Sequence, residues 1–211
     1  DPEVGAIVST GNGRAYSAGA DVGGFNASFE QGPQKNQPTR RRQSAFEPQF
    51  LMESKPIIGA INGIAVGMAM TGPLLFDTLL ASTDARFSMR FAAIGLTPEI
   101  GSSWMLPRVI GLHNAREMML TGRIYTAAEC QQFGLIRRLY EPEDLVPAAI
   151  ELAAEIAANP ISTLSTIKRM IWDDVAASDV ASVWRKSSEI FARARATTEH
   201  REALLALKDK R

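Results

Sequence analysis

Short apolar runs separated by glycine-bearing turns fill the first two thirds of the chain, and a nearly continuous helical pattern fills the rest. Residues 4–9 read as a short buried strand, Gly11-Asn12-Gly13 as a turn, and residues 15–17 as a second extended piece running into Ala18-Gly19-Ala20-Asp21. Residues 23–42 are polar, with Gly32-Pro33 and Gln37-Pro38 as breakers, and predict a loop with some helix. Phe46, Phe50 and Leu51 share one face of a helix that ends before Pro56. Residues 57–61 and 64–66 predict strands around an Asn62-Gly63 turn, and Gly67 opens a helix of small and apolar residues. Further strands are predicted at 78–82, 86–88 and 136–140. Thr126-Ala127-Ala128-Glu129 fits a capping box, with Gly134 where that helix would stop. From Leu145 the pattern is helical, broken at Asn159-Pro160, and ends in an amphipathic helix over 198–210.

Short strands alternating with helices predict an α/β architecture. A boundary near residue 142 divides a body, 1–142, from a helical region, 143–211. Residues 1–3 lead straight into a strand, so a segment preceding Asp1 is expected.

The 211 residues are 45% hydrophobic, enough for a sizeable core. Lys plus Arg equals Asp plus Glu at 23 each. A chain with no net charge is not expected to bind nucleic acid or an anionic membrane through its whole surface, so an anionic ligand must meet a local site. Arg40-Arg41-Arg42 is read as solvated. No run approaches the ~20 apolar residues of a membrane span. The single cysteine, Cys130, excludes an intrachain disulfide, fits a reducing, cytoplasmic setting and is assigned to packing. His113 and His200 lack metal-ligand spacing, so no metal is expected.

Chemistry is expected at two glycine turns. Ser17-Ala18-Gly19-Ala20-Asp21 and the run from Asn62 to Ala69 each lie at the end of a strand. Glycine lets a ligand approach the backbone closely, and amides at such turns point toward negative charge. Taken singly, either is an ordinary turn.

Taken together with Gly95-Leu96-Thr97-Pro98-Glu99, Leu120-Thr121-Gly122-Arg123 and Gly134-Leu135-Ile136, they resemble the crotonase, or enoyl-CoA hydratase/isomerase, family along the whole chain. Residues 97–103 and 67–71 are most similar to the branch holding Δ3,Δ2-enoyl-CoA isomerases and the chromodomain-Y-like proteins. The resemblance implies a spiral of ββα units with a C-terminal helical region that assembles trimers or, by pairing of trimers, hexamers. It implies action on acyl-CoA thioesters, with coenzyme A as part of the substrate and no bound cofactor. It also implies an oxyanion hole made by the amides of Ala18 and Met68, in which a thioester enolate is stabilised.

The same resemblance shows a departure. Family hydratases carry two glutamates, and Thr71 and Phe91 stand at those positions. Glu99 is the nearby carboxylate, where the isomerase branch has its base. Burial between Pro98 and the following apolar run is expected there and suits proton shuttling. One base suffices to move a double bond, whereas hydration is better served by two, so isomerase is favoured over hydratase. Gly19, Ala20, Asp21 and Gly67 shape the binding loops. Asp21 accepts backbone hydrogen bonds that hold Ala18. Met68, Met70, Phe87, Phe91 and Leu96 are read as walls for an acyl chain or, equally, as core packing, Thr71 as a pocket wall or hydrogen-bond donor, and Trp104, Met105 and Leu106 as lining the core or the acyl pocket. Lys210 matches a lysine that reaches the nucleotide end of coenzyme A on a neighbouring subunit. The alternatives are a thioester hydrolase or decarboxylase on the same scaffold, a non-catalytic acyl-CoA-binding or protein-interaction domain, and a chain lacking too much of the usual N-terminal hairpin and helix to be active.

Overall fold

A computed structural model describes residues 1–19, 48–175 and 189. The expected final helix over 198–210, Arg40-Arg41-Arg42 and His200 lie outside the described residues.

The strands are β1 (Ile7–Thr10), β2 (Ala15–Ser17), β3 (Ile57–Ile61), β4 (Ile64–Val66), β5 (Thr78–Ser82), β6 (Arg86–Ser88), β7 (Tyr125–Thr126) and β8 (Arg138–Tyr140). The helices are α1 (Pro48–Glu53), α2 (Met68–Thr71), α3 (Ser102–Ile110), α4 (Leu112–Thr121), α5 (Ala127–Gln132), α6 (Leu145–Ala157) and α7 (Ile161–Val175), with 3₁₀ turns at Gly72–Leu75 and Ala92–Ile94. Strands β1-β3-β5-β8 form one sheet and β2-β4-β6-β7 a second. Every pairing is parallel except β6 with β7. The first three passes of the chain each lay one strand in each sheet before a helix leads on, and β7 and β8, on either side of α5, then add one strand to the second sheet and one to the first. The result is a ββα spiral with helices at its C-terminal end.

The corners of successive passes are stacked and stitched. Asn62 Oδ1 accepts from Gly11 N–H at 2.9 Å, and its Nδ2 donates to Gly13 O at 2.8 Å. A Cβ at Gly63 would lie 2.1 Å from Arg14 O, and one at Gly11 2.1 Å from Ala15 O. Only glycine permits the corners to come this close.

Strand β3 is buried along its whole length, because both of its faces are covered. Ile57 and Ile61 face the core between the sheets, with Ala65 and Phe87 from the second sheet. Ile58 and Ala60 face the other way, onto Leu145 and Ala149 of α6. Full burial of a side chain such as Leu145 contributes about 2 kcal/mol. Helices α6 and α7 meet at 103° across Asn159-Pro160. Among the described residues, no single helix is long and apolar enough to cross a membrane.

Helix α7 is fastened by a buried ion. Lys168 is 4% exposed and donates to Asp77 Oδ2 at 2.7 Å, Ser54 Oγ at 3.2 Å and Lys55 O at 3.3 Å. Asp77 Oδ2 also accepts from Ile57 N–H at 2.7 Å. One ammonium thus joins α7 to the end of α1 and to the entrances of β3 and β5.

Some expected boundaries move. The first strand starts at Ile7 rather than Val4, because Gly5 is pressed against α6: a Cβ there would lie 2.5 Å from that of Ala157. The last strand starts at Arg138, because the N–H groups of Leu135 and Ile136 turn back onto Cys130 O at the end of α5. The antiparallel strand β7 and the pair α3–α4 were not expected. Met105 and Leu106 are core residues, as expected. Trp104 is instead 37% exposed, with the Arg108 guanidinium 3.8 Å over its ring.

Candidate active site

The ends of β2 and β4 lie side by side, with Ser17 registered to Ala65 after an irregularity in the ladder. Just beyond, Gly19 takes φ +89°, and a Cβ there would fall 2.7 Å from Val66 O. The first glycine turn therefore rests directly against the second. Gly67, at φ 62° and ψ −123°, then swings the chain out of the sheet. Its N–H donates to Ser88 O at 3.0 Å, and its carbonyl accepts from Met70 N–H at 2.9 Å and Thr71 N–H at 3.0 Å. Met68 begins α2, so its N–H has no intrahelical acceptor. Ala18 and Met68 thus stand just past the ends of adjacent strands, which are spaced about 4.8 Å apart.

Phe91 joins this corner to the next loop. Its ring tip lies 3.9 Å from where a Gly67 Cβ would stand, and its carbonyl accepts from the N–H groups of Ile94 at 3.1 Å and Leu96 at 2.9 Å. Phe91 and Thr71 are both buried, and Thr71 Oγ1 donates within its own helix to Met68 O at 3.4 Å. Met70 and Phe87 are core residues, whereas Met68 at 40% and Leu96 at 46% remain exposed beside exposed Ile94. Ala20, Asp21 and Lys210 lie outside the described residues.

Glu99 lies beyond Leu96, on the loop into α3. Its carbonyl receives Ser102 N–H at 3.0 Å and Ser102 Oγ–H at 2.7 Å. The next two residues are left-handed, Ile100 at φ 54° and Gly101 at φ 66°. That corner sends the Ile100 side chain onto the core and leaves Glu99 exposed. Burial of Glu99, expected from its apolar neighbours, is therefore corrected: the neighbours fold inward without it.

Two residues of consequence were passed over in the sequence. Ser102 is buried at the head of α3. Lys168 sits one helical turn from both Leu164 and Trp172, and a cation on that stripe is the signal that was available. Cys130 is buried, and that burial, with Glu129 close by, pushes its thiol up to about 12. It belongs to the core, as expected, and His113 is exposed. Among the described residues, no group of three His, Cys, Asp or Glu side chains could hold a metal ion.

Comparison with known proteins converges on one family. The sequence pattern described as Enoyl-CoA hydratase/isomerase matches residues 1–211. The chain is 31% identical over 172 residues to 1,2-epoxyphenylacetyl-CoA isomerase of Escherichia coli, covering 81% of this chain and 66% of that protein. It is 37% identical over 163 residues to a probable enoyl-CoA hydratase of Mycobacterium tuberculosis, covering 76% of this chain and 60% of the relative. It therefore spans less than two thirds of the length of these relatives. Among solved structures, a probable enoyl-CoA hydratase/isomerase from Mycobacterium abscessus superposes with a TM-score of 0.88 at 28% identity, over 100% of this chain and 80% of that one. One from Cupriavidus metallidurans gives 0.83 at 28% identity, over 100% and 78%. The chain belongs to the enoyl-CoA hydratase/isomerase, or crotonase, family.

Proposed function

We propose that this chain acts on acyl-CoA thioesters and moves a double bond along the acyl chain. The observation that carries the reading is the seating of Gly19 on Val66, which sets the Ala18 and Met68 amides at neighbouring strand ends. Glu99 takes a proton from C2 of a 3-enoyl thioester. The electron pair moves through the carbonyl to give a dienolate, whose oxygen receives the two N–H groups. Glu99 then returns the proton at C4, and a 2-enoyl thioester results. Fixed donors of this kind are each worth on the order of 100-fold or more in rate.

Hydration is disfavoured because Thr71 and Phe91 are buried and offer no second carboxylate to orient water. The name of the Escherichia coli relative supports an isomerase reading, and hydratase, in the names of other relatives, is the second reading. Met68, Thr71, Phe91 and Leu96 line the acyl path, with Gly19, Ala20, Asp21 and Gly67 shaping the loops. Lys210 reaches the nucleotide end of coenzyme A across a trimer or hexamer. The test is chromatography of products from 3-enoyl-CoA and 2-enoyl-CoA. Conversion of the 3-enoyl thioester supports the reading. Rapid hydration of the 2-enoyl thioester, with the 3-enoyl thioester untouched, overturns it.

A further inference from the structure

The left-handed corner between Glu99 and α3 carries an inference that rests on Glu99 being the base. Among the described residues, no hydrogen bond or ion pair reaches the Glu99 carboxylate, so its place depends on the main chain that bears it. That main chain is held by one side chain. Ser102 is 1% exposed, and its hydroxyl and its own N–H both donate to Glu99 O, at 2.7 and 3.0 Å. A serine that caps a helix accepts a hydrogen bond from an amide further along it. Ser102 instead donates backwards, out of α3 and onto the loop. Between the two residues stands Ile100 at φ 54°, a genuine outlier for a β-branched residue. Such a conformation persists only where its surroundings over-determine it. Here the Ser102 bonds act on one side, and on the other Gly101 O accepts from Trp104 N–H and Met105 N–H, both at 3.0 Å.

We propose that Ser102 is a positioning residue, whose hydroxyl fixes the Glu99 main chain so that an otherwise unheld carboxylate is presented at one place. The hydroxyl serves the base and not the substrate, so its removal acts on the rate of proton transfer. The experiment is a double-mutant cycle on the 3-enoyl-CoA reaction with Ser102→Ala, Ser102→Thr, Glu99→Gln and the double variant. Ser102→Ala is expected to lower kcat about 10-fold, the worth of one hydrogen bond, with KM unchanged. Ser102→Thr should restore most of the loss. In the Glu99→Gln background Ser102→Ala should cost nothing further. An equal loss in both backgrounds, or a change confined to KM, overturns the role of Ser102 and leaves that of Glu99 standing. Full activity in Glu99→Gln overturns the reading of the base itself, and this proposal with it. Should Ser102→Ala not fold, Ser102→Cys, near in size but a weak donor, takes its place in the same cycle.

Discussion

Replacing Lys168 by Met isolates the buried ion that fastens α7. Methionine keeps most of the apolar stem and removes only the ammonium. Three acceptors lose a donor, but two keep another partner. The one hydrogen of the Ser54 hydroxyl has two acceptors in reach, Leu51 O at 2.9 Å and Lys55 O at 3.1 Å, and turning it onto Lys55 O leaves both groups partnered. Asp77 is left as an unbalanced charge, held among the described residues by Ile57 N–H alone. Breaking a buried pair by removing one partner costs about 3–5 kcal/mol. The Asp77 side chain is 27% exposed and can regain some water, so the lower end, about 3 kcal/mol, is expected. For a chain of this size that is a fall in Tm of about 6–12 °C. The assay is urea unfolding followed by circular dichroism, with an unchanged m-value showing that stability alone has moved. Adding Asp77→Asn removes the stranded charge and keeps an acceptor for Ile57, and it should return about 2 kcal/mol. A loss below about 1 kcal/mol in Lys168→Met, or no recovery in the double variant, refutes the reasoning.

Glu99→Gln keeps the shape but cannot take a proton, so kcat on 3-enoyl-CoA should fall about 100- to 10,000-fold while acyl-CoA still binds; Thr71→Ala should do much less. The Thr126 N–H at 2.7 Å, then the Thr126 hydroxyl and Arg123, lower Glu129 from 4.5 to about 2. A depressed carboxylate stabilises the fold above its unfolded value, so this contribution should disappear as pH falls from 4.5 toward 2. The side chain is 34% exposed, so solvent screening reduces the effect to about 1 kcal/mol, the size of a helix cap; Glu129→Gln should abolish that slope in acid titrations of stability. Cys130, with its thiol pushed up to about 12, should react with an aromatic disulfide only as the protein unfolds in urea, and rapid labelling in native buffer would contradict its burial.

Local chemistry made much of the spiral readable in advance. Strands β3, β4 and β5 fall where their apolar runs lie, and Asn62-Gly63 and Gly67 close the first two of them. The Thr126–Glu129 cap and the Asn159-Pro160 break need no distant partner, and they occur as expected. What the residues could not disclose is set by partners far along the chain. Gly5 leaves the first strand because Ala157 occupies the space beside it. β7 exists only because Arg86 and Phe87 offer an edge to Thr126 and Tyr125. At the site, the nearness of Gly19 to Val66 was legible as a pair of glycine turns. The exposure of Glu99 was not, because nothing in Pro98-Glu99-Ile100 announces that an isoleucine will turn left-handed.

The corner stitched by Asn62 bears on how the protein ages. An asparagine followed by glycine is prone to self-cyclisation: the glycine nitrogen attacks the side-chain amide carbon, ammonia leaves, and water then hydrolyses the resulting succinimide to aspartate or isoaspartate. Here the Asn62 amide is held at both ends, by Gly11 N–H and by Gly13 O, and Gly63 is buried against Arg14. The attacking geometry is reached only when the first two passes of the spiral come apart. Once deamidated, the side chain can no longer donate to Gly13 O, and the stitch does not re-form as it was. Isoaspartate at position 62 would therefore accumulate as a chemical record of the time the chain has spent open at that corner.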